Sequence, residues 1–164
     1  MKKLLLCLLI LLMLATLSAC NRNNEPANIF NAITFVNSYN AAAAAVGAPL
    51  LNLAELEPIV GEVANEDGRY DSLRAPEGIL NTGALMMQPS RIWVVGRPNN
   101  LEQATAEYTA LVAAAAGINV DDAKDIVNQL LSTEENEFSV ARNGILFTIY
   151  VTETNIISLT AEAE

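Results

Sequence analysis

The 164-residue chain contains no histidine and only two cysteines, Cys7 and Cys20. Nine basic residues face nineteen acidic ones, and Lys124 is the sole lysine beyond position 3. Each scarcity excludes chemistry. Without histidine there is no Ser-His-Asp or Cys-His nucleophile and no imidazole ligand for zinc. A net charge of −10 repels phosphate backbones and anionic headgroups, so nucleic acid is not an expected partner. No glycine-rich phosphate loop, dinucleotide fingerprint or metal-ligand spacing occurs. Ser72 and Ser90 stand outside any Gly-x-Ser-x-Gly or Ser-x-x-Lys arrangement and read as strand-edge and turn residues.

What is present begins at the N-terminus. Lys2-Lys3 precede an unbroken apolar run, Leu4 to Ala15, followed by Thr16-Leu17-Ser18-Ala19-Cys20. A basic start, an apolar stretch and small residues before a cut site make a secretory signal peptide. The run is short of the roughly 20 residues of a comfortable membrane span, and polar Asn21 to Glu25 follow at once. The segment Leu17-Ser18-Ala19-Cys20 resembles the lipobox of bacterial lipoproteins. That resemblance implies cleavage before Cys20, a diacylglyceryl group on its thiol, and attachment to the extracytoplasmic face of a cell membrane. In a two-membrane host the outer membrane is also open, because Asn21 is not the aspartate that signals inner-membrane retention in this family. One acyl chain anchors weakly and two hold firmly.

Cleavage would remove residues 1–19, and Cys7 with them. The 145 residues left are the size of one domain with its own core. Seven basic residues then oppose nineteen acidic ones, and no cysteine remains to pair with Cys20. The expected organisation is a signal peptide over 1–19, a lipidated cysteine and tether over 20–27, and a single α+β domain over 28–164.

Within that domain, Ile29, Ile33, Val36, Ala43 and Val46 recur at helical steps, and Gly47 and Pro49 stop the pattern. A second short helix is expected from Leu53, capped by Asn52 and made awkward by Pro58. Strand-like stretches follow at Tyr70–Arg74, Ile79–Met87 and Arg91–Gly96. Leu101–Ala116 reads as an alanine-rich helix ended by Gly117, and Asp121–Leu131 as another, capped by Asn119 or Asp121. Phe138–Arg142 and Ile145–Thr152 flank Asn143-Gly144, a hairpin signal, and Ile156–Thr160 closes the chain.

This order is helix, helix, three strands, twice over. Asn52–Val63 aligns with Asn119–Leu130, and Glu66–Arg74 with Glu134–Arg142, both without gaps. Gly78-Ile79-Leu80 is echoed by Gly144-Ile145-Leu146, and Tyr39 with its alanines by Tyr108 with its own. The expectation is an antiparallel β-sheet with helices on one face and an internal duplication, with repeats over 28–97 and 98–162.

The acidic clusters Glu66-Asp67-Asp71, Asp121-Asp122-Asp125 and Glu134-Glu135-Glu137 offer oxygen ligands for calcium. None has the spacing of an EF-hand, and solvated surface is the simpler reading, so no metal or cofactor is assigned. Arg74, Arg91, Arg97 and Arg142 read as partners of nearby carboxylates before they read as grips for an anion. Trp93 with Met86-Met87 reads as core before it reads as a binding patch, although Trp and Met favour interfaces. The expected function is a non-catalytic envelope lipoprotein binding a protein partner or serving an envelope assembly, with Cys20 as its one assigned site. The alternatives are a small-ligand or Ca2+-binding module and a carboxylate-based cell-wall hydrolase.

Overall fold

A computed structural model describes residues 30–59 and 72–164. Cys20, the tether and the cluster Glu66-Asp67-Asp71 lie outside the described residues, as do Asn28 and Ile29. Among the described residues there are three α-helices: α1 (Ala32–Val46), α2 (Leu101–Ala116) and α3 (Val120–Leu131). The described residues also form seven strands: β1 (Glu57–Pro58), β2 (Leu73–Leu80), β3 (Gly83–Gln88), β4 (Arg91–Gly96), β5 (Glu137–Arg142), β6 (Ile145–Val151) and β7 (Ile157–Ala163). They form one sheet in the order β1-β2-β3-β4-β7-β6-β5, antiparallel at every pairing. The molecule is an α+β fold.

The helices start and stop for local reasons. Asparagine caps all three: Asn31, Asn100 and Asn119 each accept a backbone N–H from the residue three positions on. Gly47 and Gly117 close α1 and α2 in the left-handed conformation, where a side chain costs most. The buried stripe of α1 is Ala32, Phe35, Val36, Tyr39, Ala42 and Ala43, rotated from the expected one, and Ile33 faces out. Helix α2 lies in the middle of the helical layer, against both α1 and α3. Its alanines keep it thin enough to be flanked on both sides while it covers the sheet.

Strand alternation then divides the sheet into two faces. Ala75, Leu85, Val94, Leu159 and Ile149 are directly opposed across five strands, and all are buried under the helices. Met87, Ile92, Ala161 and Phe147 form a second such row. The residues between them point the other way.

Several expected boundaries shift. The short α-helix expected to start at Leu53 does not form there among the described residues. A single 3-10 turn, Leu53–Glu55, gives way to β1, because Pro58 cannot extend a helix but fits a sheet margin. The expected strand Ile79–Met87 is broken by a turn at Asn81-Thr82, and its first part belongs to β2. Strand β2 runs through Pro76 because its register with β3 is interrupted between Ala75 and Leu80, where a missing N–H breaks no ladder.

The strand order alone is symmetric, since β2-β3-β4 and β5-β6-β7 meet in reverse order along the β4–β7 seam, whereas among the described residues one α-helix precedes the first three and two precede the second. The residue echoes do not all coincide. Gly78–Leu80 end a strand, whereas Gly144 lies in a turn and Ile145-Leu146 begin one. Arg74 lies near the start of β2 and Arg142 at the end of β5, so they are not equivalent.

Candidate functional site

The face of the sheet turned away from the helices is built by simple alternation. One row across it runs Arg74, Met86, Trp93, Thr160, Thr148 and Ser139, each directly opposite the next. The neighbouring rows contribute Val95, Ser158 and Tyr150 on one side, and Arg91, Glu162 and Leu146 on the other. Trp93, Met86 and Val95 are half-buried with no described element above them, and Tyr150 is 48% exposed. Ser139 and Thr148 share a hydroxyl hydrogen bond of 2.8 Å. The face is therefore apolar at Trp93, hydroxylated across β5–β7 and charged at its margins.

Arg91 lies over the Trp93 ring, its guanidinium carbon 5.5 Å from the ring centre. Such a contact contributes about 0.5–1 kcal/mol at an exposed position and holds the indole against the sheet. The same arginine approaches Glu162 at 3.9 Å, directly opposite on β7. Met86 belongs to this patch. Met87 does not, because one step along a strand reverses the side chain, and it is 1% exposed in the core.

Three of the four singled-out arginines meet carboxylates. Arg74 donates two hydrogen bonds to Glu57, at 2.6 and 3.0 Å, and Arg142 lies 3.8 Å from Asp122. Arg97 makes no ion pair among the described residues. It lines a hollow of about 530 Å³ with Glu77, Asn81, Asn99 and Gln103. Asp121 and Asp122 occupy the first turn of α3, where Asn119 bonds both the backbone and the carboxylate of Asp122. Among the described residues, no group of three or more Asp, Glu, His or Cys is placed to hold a metal.

One polar site escaped the sequence reading. Glu107, in the middle of α2, is 2% exposed. Its Oε1 accepts the backbone N–H of Asn81 at 2.9 Å and its Oε2 that of Thr82 at 2.7 Å. Gln103 adds a longer contact of 3.4 Å. A helix side chain thus satisfies both N–H groups of the β2–β3 turn. The signal was available, because Glu107 falls on the helical stripe with Ala104 and Leu111, which are both buried. Around it, the hydroxyls of Tyr39, Tyr108 and Thr82 are buried without a hydrogen-bond partner. Burial first, and the Glu107 charge second, push both phenols above their ordinary range. With both oxygens taken by main-chain donors, this carboxylate is fitted to hold a turn, not to relay protons.

No protein-family model, curated protein or solved structure matches this chain.

Proposed function

We propose that this protein is a non-catalytic, lipid-anchored lipoprotein of the cell envelope, and that the sheet face around Trp93 binds a protein partner. The observation that carries the reading is the one-sided sheet. Met86, Trp93 and Val95 sit in its middle, only half-buried, while paired charges such as Arg91–Glu162 stand at its margin. An apolar, aromatic centre with a polar rim is the usual composition of a protein interface. The acidic surface disfavours nucleic acid and anionic lipid as partners, and the lipobox-like Leu17–Cys20 supports attachment through lipid on Cys20.

The test is site-specific photocrosslinking in intact cells of the native host. A photoreactive residue at Thr160 or Tyr150 is expected to give a discrete adduct that Trp93→Ala weakens at least tenfold. The same probe at Asn128, on the exposed side of α3, is expected to give none. Equal labelling from both faces, or no adduct from the sheet face, would overturn the assignment.

A further inference from the structure

The two margins of the sheet are unlike. At one, β1 contributes only Glu57 and Pro58, and beyond it the irregular stretch of β2 holds Pro76. Proline has no N–H to offer a further strand, so this margin is blunted. At the other, β5 is six residues long, has neither proline nor lysine, and pairs with β6 without a bulge. Asn136 and Val151 form a bonded pair, since Val151 N–H donates to the Asn136 carbonyl at 2.8 Å. By antiparallel alternation, Phe138, Val140 and Arg142 then bond inward to β6. The N–H and C=O groups of Glu137, Ser139 and Ala141 point outward, and no described residue pairs with them.

We infer that this margin joins two copies of the chain, β5 against β5 in antiparallel register, with Ser139 opposite Ser139 of the second copy. Charge favours this direction. The start of β5 is acidic, with Glu134, Glu135 and Glu137, and its end is basic at Arg142. Parallel in-register pairing would set Glu137 beside Glu137 and Arg142 beside Arg142, whereas the antiparallel register sets Glu137 opposite Ala141 and Arg142 opposite Asn136, one diagonal step from Glu134. Side-chain pattern favours this register. Phe138 and Val140 lie half-buried at the margin of the core. With Ser139 as the dyad, Phe138 of each copy falls opposite Val140 of the other, on the helix side of both sheets. The outward N–H and C=O of Ser139 and of its counterpart then bond each other. The inference concerns the sheet's margin and is independent of the reading given to its Trp93 face.

The test is disulfide trapping of the full-length protein in its own membrane. Ser139→Cys places two thiols at a directly opposed pair, where Cα atoms about 5.5 Å apart suit a disulfide. Asn128→Cys, on the exposed side of α3, measures random collision. Both are made in the chain that keeps Cys20, whose thiol the proposed lipid blocks, and as a check in a Cys7→Ser, Cys20→Ser chain, which has no other thiol whether or not the leader is removed. Mild oxidation is expected to give at least tenfold more dimer from Ser139→Cys than from Asn128→Cys in both backgrounds. Ala141→Pro, which removes an outward N–H while sparing the bonds to β6, is expected to abolish that excess in a variant whose circular dichroism is unchanged. Equal yields from positions 139 and 128 would overturn the inference, as would an excess that survives Ala141→Pro. If Ala141→Pro does not fold, Glu137→Cys takes its place. Trapping from position 137 as strong as from 139 would then exclude the proposed register.

Discussion

Asn81 and Asn143 hold the two ends of α2. Each is the first residue of a hairpin turn, and the two turns lie at opposite ends of the sheet. Asn81 donates its side-chain N–H to the Asn100 carbonyl at the start of α2, at 2.8 Å. Asn143 donates to the Ala116 carbonyl at its end, at 3.1 Å. The central helix is thereby registered along the strands by hydrogen bonds as well as by packing.

Loss of either bond should be measurable in urea denaturation. Asn81→Ala and Asn143→Ala are each expected to cost about 0.5–1.5 kcal/mol. Asn143 also has a φ of +53°, so its replacements should rank by tolerance of that conformation. Asn143→Gly is expected to lose least, and Asn143→Val most.

Glu107 should dominate the polar contribution to stability. Glu107→Ala leaves two backbone N–H groups of the β2–β3 turn without acceptors, at an expected cost of about 2–4 kcal/mol. Glu107→Gln keeps one acceptor and should cost less. Hydrogen exchange supplies the residue-level check, since the amides of Asn81 and Thr82 should lose protection in Glu107→Ala before the amides of β6 do.

Stability should fall at high pH. The phenols of Tyr39 and Tyr108 titrate above their ordinary value of about 10 in the folded chain. The unfolded chain therefore releases these protons first. The stabilisation is complete below pH 10 and declines as pH rises beyond it, by up to about 1.4 kcal/mol per pH unit for each phenol. Tyr39→Phe and Tyr108→Phe should each flatten that decline. Because neither hydroxyl has a hydrogen-bond partner, each substitution should be neutral or slightly stabilising at pH 7. Chemical denaturation from pH 7 to 11 tests both statements.

Gly83 and Gly96 face one another across β3 and β4. A Cβ on Gly83 would collide with the carbonyl oxygen of Val95, and one on Gly96 with that of Thr82. Both obstacles are backbone. Gly83→Ala and Gly96→Ala are expected to cost more than about 2 kcal/mol each. Gly78→Ala meets open space and has only its positive φ against it, so thermal unfolding should show a smaller loss, about 1 kcal/mol.

The anchor has its own test. Cys20→Ala is expected to move the protein from the membrane to the soluble extracytoplasmic fraction. Retention of Cys20→Ala on the membrane would remove the lipid-anchor proposal.

The helices and the last hairpin were legible because their signals are local. Asn119, Gly47, Gly117 and Asn143-Gly144 each act within a few residues, and each stands where local chemistry puts it. The middle of the chain was not legible, because its boundaries are set from a distance. Asn81-Thr82 carries no glycine at the turn itself and is held by Glu107, about 25 residues further along. Pro76 suggests a break, yet its strand continues because the neighbouring register slips there. The sheet face around Trp93 was partly legible. The sequence groups Trp93 with Met86-Met87, but only pairing separates Met86 on the outer face from Met87 in the core.

The two ends of the described chain meet. Phe30 donates its N–H to the Pro89 carbonyl at 2.9 Å, and Ala163 donates to that of the adjacent Ser90 at 3.3 Å. Both ends thus rest on the β3–β4 turn, and the backbone path is nearly a closed ring. A short linker from residue 164 to residue 30, with new termini opened at Pro98–Asn99, would reverse the order of the halves and keep every strand pairing. A domain so permuted is expected to keep its described strand pairings whichever half is made first.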